Sequence, residues 1–549
     1  MAEPPSTPQP PRRRRSGAAS VAAGIFLSRL FGFLRDRAVA FYFGVGPHAD
    51  VFRTALRIPN FLQNLLGEGT MSASFIPVYS RMLAEGRREA AGRFAGAVFG
   101  LLLVTAAGLA IAGILLARPL VVLFAPGYLE DASHAGAIDR YALSVEAVRW
   151  IFPMTGVLVL SAWALGVLNS HRRFFLPYVA PVLWNAAIIA GLFWVAGPGT
   201  TRERLLLGAC IGAMVGGVLQ LAVQVPGVLA DLRGFELSFS RRVEGVSEAL
   251  RAFGPVVVGR GAMQFAAYLD QFLASFLAPG AVGALGYALT LYLLPVALFA
   301  APIAASELPE LASGATDENA VLRRVDRGLR QMAFLNVPTA LVYIGFGFVV
   351  VGALYRTGSF VVEDTWLTYL TLAGFATGLV ATAFTRLLQN VFYALSDSRT
   401  PSRIAVLRVG LSAVLGLPAM LVFDRVPVTA LGTAAEKPLY LGAVGLALGA
   451  AAAAWVEVLL LRRALRERLP HFHLPFAETA RMTLAALAAA APAAGVWWLV
   501  RAARPIPLAA MVLGCFGLAY AGIAKLLGIA EVDAWVARLR RRPAEGARR

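Results

Sequence analysis

The feature that most constrains this chain is a series of long apolar segments spread over its 549 residues. Each segment has about 20 residues or more, which is the length an α-helix needs to cross the hydrocarbon core of a bilayer. A typical soluble domain contains about 25% charged residues, whereas this chain contains 15%, with 58% hydrophobic residues. The segments predict an all-α polytopic membrane protein. They exclude a water-soluble enzyme, and no loop between them is long enough to fold as a catalytic domain.

Hydropathy predicts about fourteen transmembrane helices. Their expected ranges are 18–43, 51–80, 92–117, 142–168, 176–197, 205–230, 249–277, 283–311, 330–354, 365–395, 402–423, 438–461, 479–500 and 506–528. Arginines concentrate in alternate loops, whereas the loop 44–50 contains no arginine or lysine. By the positive-inside rule, this asymmetry predicts that both termini are cytoplasmic. The net charge of +18 is then explained by topology, and no binding of nucleic acid is expected.

Two pairs of similar sequence segments predict that a six-helix unit is duplicated. The sequence 73–80 at the end of the second segment resembles 305–312 at the end of the eighth, and the turns before the fifth and eleventh segments share a proline. Such internal symmetry is common in transporters. The expected organisation begins with a basic cytoplasmic tail (1–17) and a lobe of helices one to six (18–230). A lobe of helices seven to twelve (231–461), two appended helices (479–528) and a second basic cytoplasmic tail (529–549) follow.

Charged side chains inside the first two segments are the main functional signal. In the first, Arg29, Gly32 and Asp36 lie on one helical stripe. In the second, polar residues recur every three or four positions: Arg53, Arg57, Asn60, Asn64 and Glu68. A charge within the membrane normally faces a bundle interior or a water-filled cavity. The two stripes predict an anion site, since guanidinium groups match phosphate geometry.

The alternative for part of this set is that the arginines extend to the lipid headgroups. This interpretation stays open for Arg35, Arg37 and Arg53, while the deeper Arg29 and Arg57 favour the cavity. In the seventh segment, Arg260 and Asp270 are candidates for lining a cavity or for coupling to an ion, with structural pairing as the equal alternative. His171 lies in a loop without metal-ligand neighbours, and we expect it to be solvated.

Short motifs along most of the chain resemble one family. They include Ser28-Arg29-Leu30-Phe31-Gly32-Phe33-Leu34-Arg35-Asp36, Phe43-Gly44-Val45-Gly46, Ala49-Asp50-Val51-Phe52, Ile58-Pro59-Asn60, Gly67-Glu68-Gly69, Phe75-Ile76-Pro77, Gly216-Gly217-Val218-Leu219-Gln220 and Phe392-Tyr393-Ala394. This series resembles the MurJ (MviN) family, the lipid II flippases of the MOP exporter superfamily. The resemblance implies two six-helix lobes around a central cationic cavity, with the last two helices forming a groove for a polyprenyl tail.

The resemblance also implies roles for individual residues. The family's two first-helix arginines match Arg29 and Arg35, its first-loop aspartate matches Asp50, and its second-helix basic position matches Arg57. Asn60 and Glu68 complete the predicted substrate-binding set. The chain departs from the family at Gln63 and Thr290, where many members have basic residues.

The function implied is flipping of undecaprenyl-diphosphate-linked muropeptide (lipid II) from the inner to the outer leaflet of the cytoplasmic membrane by alternating access. A flippase for another polyprenyl-diphosphate glycan is an alternative, as is a multidrug or amphiphile exporter on the same scaffold, although an arginine-rich cavity argues against cationic drugs. We expect no enzymatic activity and no bound cofactor. A coupled cation or the membrane potential would supply energy, and membrane lipids and the cell-wall synthesis machinery are the expected partners.

Overall fold

A computed structural model describes residues 14–133, 138–304, 318–431 and 439–533. Within these ranges the regular structure is helical, and the extended pairing is a single isolated bridge between Pro427 and Tyr440. The prediction of an all-α membrane protein is confirmed.

The described helices follow the predicted segments, several of which are broken into two pieces. In chain order they are α1 Arg14–Phe43, α2 Pro47–Leu66, α3 Glu68–Ala84, α4 Arg88–Leu115, α5 Ala117–Phe124, α6 Arg140–Ile151, α7 Pro153–Ser170, α8 Phe175–Val179, α9 Pro181–Val195, α10 Arg202–Ala222, α11 Val225–Asp231, α12 Val246–Ala274, α13 Ala281–Pro295, α14 Glu318–Gly345, α15 Gly347–Tyr355, α16 Val362–Ala376, α17 Leu379–Ala394, α18 Arg399–Phe423, α19 Gly442–Arg466, α20 Phe476–Val500 and α21 Pro505–Leu526. A 3₁₀ turn covers Pro126–Ser133, and a π turn covers Val296–Ala300.

Nine spans in the described part of the chain are long and apolar enough to cross a membrane, and the number rises to eleven if each of two bent pairs is one span. The bends are 81° between α14 and α15 and 42° between α16 and α17. The remaining predicted segments correspond to α1, to α2 with α3, and to α12. These helices carry the intramembrane charges, which lower their hydropathy. The count of fourteen therefore stays a prediction.

The chain forms two compact units. Unit 1 comprises residues 1–39 and 51–268, and unit 2 comprises residues 40–50 and 269–549. The predicted lobes, which are divided at 230/231, stay a prediction. Most of α12 packs with unit 1, and the short segment 40–50 packs with unit 2. The last two helices, α20 and α21, belong to unit 2.

The outer surface of both units is apolar, as a lipid-facing surface must be. In unit 1, Trp194 at the end of α9 is 90% exposed and Leu115 at the end of α4 is 72% exposed. In unit 2, Leu526 at the end of α21 is 87% exposed. In water such a surface would aggregate, whereas in hydrocarbon these side chains need no protein partner. The exposed apolar helices agree with a multi-pass membrane protein.

Small residues allow a close helix contact in the described part of unit 2, between α18 and α19. A Cβ atom at Gly449 would lie 2.4 Å from the Cα atom of Gly416, and one at Gly445 would lie 2.5 Å from the backbone of Ala419. Membrane helices associate through such close backbone packing, because lipid tails are as apolar as the side chains and little hydrophobic driving force remains.

Candidate functional site

The arginines of α1 and α2 form a polar cluster in unit 1. The guanidinium group of Arg35 donates to Asp36 Oδ1 at 2.8 Å through Nη2 and at 3.2 Å through Nε. It also lies over the ring of Trp184 in α9, 5.3 Å from the ring centroid. Asp36 is 6% exposed, and Nη2 of Arg53 approaches its Oδ2 to 4.0 Å. One buried carboxylate thus holds two arginines from neighbouring helices.

Arg57 lies in an aromatic environment. Its guanidinium carbon is 5.1 Å from the centroid of the Tyr268 ring, an arrangement in which the ring quadrupole attracts the cation. Phe61, one turn further along α2, packs edge-on against Tyr268 and against Phe124, with centroids 5.2 and 5.5 Å apart. These rings reduce the local dielectric, which strengthens the field of the half-buried guanidinium group.

The remaining predicted residues of this stripe are less enclosed. Arg29 is exposed, and Asn60 is half-buried. Arg29 lies 14 residues before the end of α1 and Arg57 lies 10 residues after the start of α2, which places them about 21 and about 15 Å along their helices from the connecting loop. The side chains of Glu68 and Arg260 lie outside the described residues. The structure thus brings together Arg35, Asp36 and Arg53, with Arg29 and Arg57 on the same two helices.

Asp50 has a different position, within unit 2. It is fully buried, and its two carboxylate oxygens accept hydrogen bonds from the backbone N–H groups of Gly280 at 2.6 Å and Gly283 at 2.7 Å. These groups open α13, whose N-terminus carries a partial positive charge. Gly280 has φ +100°, a conformation that favours glycine. Asp50 therefore caps a helix 230 residues away, and its predicted contact with substrate stays untested.

Asp270 in α12, the predicted ion-coupling residue, is half-buried and already has an interaction partner. No group of three His, Cys, Asp or Glu side chains that could hold a metal ion occurs within the described ranges. The role of Asp270 in coupling stays a prediction.

Sequence reasoning missed Asp364, a second buried acid in unit 2. Its Oδ2 accepts a hydrogen bond from the backbone N–H of Val45 at 3.0 Å and another from Val361 at 3.2 Å. An acidic residue at the third position of a helix is a recognisable capping signal. The contact with Val45, 319 residues away, has no local signal in the sequence.

Glu457 and Arg408 form an ion pair in unit 2, with 3.1 Å between Nη1 and Oε2. The amide of Gln389 donates to Glu457 Oε1 at 3.2 Å. Glu457 is 1% exposed. The three residues tie α17, α18 and α19 together, which is a structural role.

The prediction that His171 is solvated is wrong. The residue is half-buried, and its Nε2 lies 3.0 Å from the hydroxyl of Tyr79. Burial lowers its pKa below the usual value of 6.5. The loop position suggested solvent, but the packing of α3 against α7 encloses it.

Comparison with known proteins agrees with the resemblance seen in the motifs. The family model described as "Lipid II flippase MurJ" matches residues 39–513. A relative from Rhizobium tropici, named as a probable lipid II flippase MurJ, is 33% identical over 71% of this chain and 72% of its own. The lipid II flippase MurJ of Burkholderia cenocepacia is 30% identical over 93% of this chain and 96% of its own.

Two solved structures share the fold. A lipid II flippase MurJ in an inward closed conformation superposes with a TM-score of 0.70 at 20% identity, covering 92% of this chain and 98% of its own. An inward-facing MATE-family multidrug transporter of the MOP superfamily has a TM-score of 0.60 at 16% identity, covering 83% of this chain and 99% of its own. At these identities the likeness establishes the architecture alone.

Proposed function

The chain belongs to the lipid II flippase MurJ family, and on this premise we propose that it moves lipid II from the inner to the outer leaflet of the cytoplasmic membrane by alternating access. It is a transporter, and its chemistry is binding and release. The cargo has a polyprenyl tail, which is apolar and dissolves in the hydrocarbon core of the bilayer. Its diphosphate and its sugar–peptide headgroup are polar and do not.

The physical obstacle is the diphosphate. It carries at least two negative charges, and a charge in the centre of a bilayer costs several kcal/mol or more. A protein lowers this cost by offering fixed cations inside a polar cavity while the tail stays in lipid. Arginine suits the task, because its planar fork can bind phosphate oxygens bidentately.

The observation that carries the proposal is the excess of arginine on α1 and α2 in unit 1. Arg29, Arg35, Arg53 and Arg57 lie on these two helices, and the carboxylate of Asp36 contacts Arg35 and Arg53. Asp36 orients Arg35 and Arg53, so these two form a prepared positive surface. Arg57, packed on Tyr268, and the exposed Arg29 are the groups we assign to the diphosphate.

The same cluster argues against the multidrug alternative, since a cavity with net positive charge repels cationic drugs. It does not discriminate between lipid II and another polyprenyl-diphosphate glycan, because the diphosphate is common to both. That choice depends on the family membership and is tested in cells.

The experiment is complementation of a bacterium depleted of its own lipid II flippase. The native chain should restore growth, and Arg29→Ala and Arg57→Ala should each abolish rescue. A hydrogen bond to a charged group contributes about 1.5–3 kcal/mol, which equals about a 10- to 150-fold loss of binding. Arg29→Lys should be impaired as well, because lysine keeps the charge but lacks the fork.

The matched control is Arg37→Ala, two residues beyond Arg35 on α1, which should rescue almost normally. Membrane insertion of every variant is checked by immunoblotting of the membrane fraction. Rescue by Arg29→Ala together with failure of Arg37→Ala would show that the wrong face of α1 is assigned. An inserted native chain that cannot rescue would indicate another glycan lipid.

Three further parts of the proposal rest on the sequence. Both termini lie in the cytoplasm because of the arginine asymmetry between loops. A coupled cation or the membrane potential drives the cycle, with Asp270 as the candidate coupling residue, to be tested by the ion dependence of Asp270→Asn. Contact with the cell-wall synthesis machinery is expected from the cargo alone and is open to co-purification from crosslinked cells.

A further inference from the structure

A cationic pocket lies at the C-terminal end of α19 in unit 2. It has a volume of about 460 Å³ and is lined by Leu459, Arg462, Arg463, Arg466, Glu467 and Pro470. Counted from Leu459 as position i, they lie at i+3, i+4, i+7, i+8 and i+11, so they share one face of the helix and its continuation. The apolar end is Leu459, which is 50% exposed, and the arginines follow towards the predicted cytoplasmic side.

Packing holds Arg462 in place. Its guanidinium carbon lies 5.5 Å from the ring centroid of Phe476, the first residue of α20. Its Nε is buried and has no hydrogen-bond partner among the described residues. A buried donor without a partner costs free energy, so an acceptor that enters the pocket would be bound favourably.

The charge of the pocket is not neutralised within the protein. Arg468, which does not line the pocket, is paired with Asp397 at 2.6 Å. No described carboxylate forms an ion pair with Arg462, Arg463 or Arg466. Glu467 and the partial negative charge of the helix end, about half a unit, oppose the three guanidinium groups. A net charge of about +1.5 remains.

We propose that this pocket binds the phosphate group of an anionic phospholipid. The phosphate would accept from Arg462, Arg463 and Arg466, and the acyl chains would extend along the apolar surface that begins at Leu459. Basic pockets between transmembrane helices on the cytoplasmic side are suited to such headgroups. The apolar Leu459 beside the arginines favours a lipid over a free phosphate ion, because a phosphate ion has no apolar group to pack against Leu459.

The site is independent of the proposed cargo site, because none of its residues belongs to α1 or α2. Bound phospholipid would stabilise the junction between α19 and α20. The cargo also carries phosphate, however, so the experiment includes a polyprenyl phosphate to separate the two sources.

The test measures the thermal stability of the purified full-length protein in detergent with four additives: phosphatidylglycerol, phosphatidylethanolamine, inorganic phosphate and undecaprenyl phosphate. A ligand that binds only the folded state raises Tm, and the stabilisation grows with the logarithm of 1 + L/Kd, where L is the free ligand concentration. We expect phosphatidylglycerol to raise Tm by several degrees and the other three to have little effect. In the variant R462Q/R463Q/R466Q the apparent affinity for phosphatidylglycerol should fall at least about tenfold.

The control R233Q/R241Q/R242Q removes the same charge from exposed loop residues of unit 1 and should keep the response. If the triple variant of α19 does not give a monodisperse protein, Arg463→Gln with Arg466→Gln replaces it, since both side chains are exposed. The proposal would be overturned if inorganic phosphate raised Tm as much as phosphatidylglycerol, or if undecaprenyl phosphate raised it more. It would also be overturned if the control variant lost as much affinity for phosphatidylglycerol as R462Q/R463Q/R466Q. Complementation by the native chain would be unaffected by any of these results.

Discussion

At the scale of single residues, the buried acids of this protein have separate tasks. Asp36 holds Arg35 and Arg53 in unit 1, Asp50 caps the start of α13, and Glu457 is paired with Arg408. Each negative charge has its compensation within a few ångströms, as the apolar surroundings require. Removing one partner leaves the other charge buried, so these positions tolerate substitution poorly even where they never touch substrate.

His171 gives a prediction of pH dependence. Because burial lowers its pKa, the folded protein binds fewer protons than the unfolded chain near pH 6.5, and its stability falls as the pH drops through that range. We expect Tm of the detergent-purified protein to decrease between pH 7.5 and pH 5.5, and His171→Gln to reduce this decrease. An unchanged pH profile in His171→Gln would mean that other groups govern the acid sensitivity. The substitution His473→Gln, at an exposed histidine, is the control.

At the scale of helices, proline and glycine determine where elements break and how closely they pack. Pro153 and Pro181 begin α7 and α9 directly after α6 and α8, and the π turn follows Pro295 at the end of α13. Proline lacks the N–H that would continue the helix. In a membrane these interruptions occur where neighbouring protein can satisfy the freed carbonyl groups.

The contact of α18 with α19 is a place where added volume should destabilise the protein. Gly449→Ala places a methyl group 2.4 Å from the Cα atom of Gly416, so the helices must separate, at a cost of about 1–3 kcal/mol. We expect a lower Tm and a smaller monodisperse fraction in size-exclusion chromatography. Gly410→Ala on α18 is the control, because nothing lies within 4 Å of its Cβ position; alanine there should be neutral or stabilising. Equal behaviour of the two variants would contradict the close packing.

At the scale of the whole molecule, two compact units share one continuous chain, and residues 40–50 pack with the unit that contains the C-terminal half. This short segment is anchored by Asp364, through Val45, and by the contact of Asp50 with α13. The connection between α1 and α2 is therefore a structural part of unit 2, which would make insertions there more damaging than its loop position suggests.

The topology of the whole molecule can be tested with single cysteines in a background that lacks Cys210 and Cys515, the two cysteines of the chain. Cysteines at Pro198 and Pro279, both exposed, should react with an impermeant maleimide added to intact cells. Those at Glu85 and Ser398, also exposed, should react only after the membrane is permeabilised. The reverse pattern would invert the map and place the termini outside.

The sequence by itself determined the helical class, the approximate positions of the membrane segments and the two arginine stripes, because hydropathy and helical periodicity are local properties. Its motifs also led to the correct family. Only the tertiary structure showed that Asp36 joins Arg35 to Arg53, that Arg57 packs on Tyr268, and that Asp50 caps α13. The partners of Arg57 and Asp50 lie more than 200 residues away in the chain, and no local pattern encodes which distant helix a buried charge will meet. For the same reason, the enclosure of His171 and the unit boundary within α12 depended on packing, which the order of residues along one helix does not reveal.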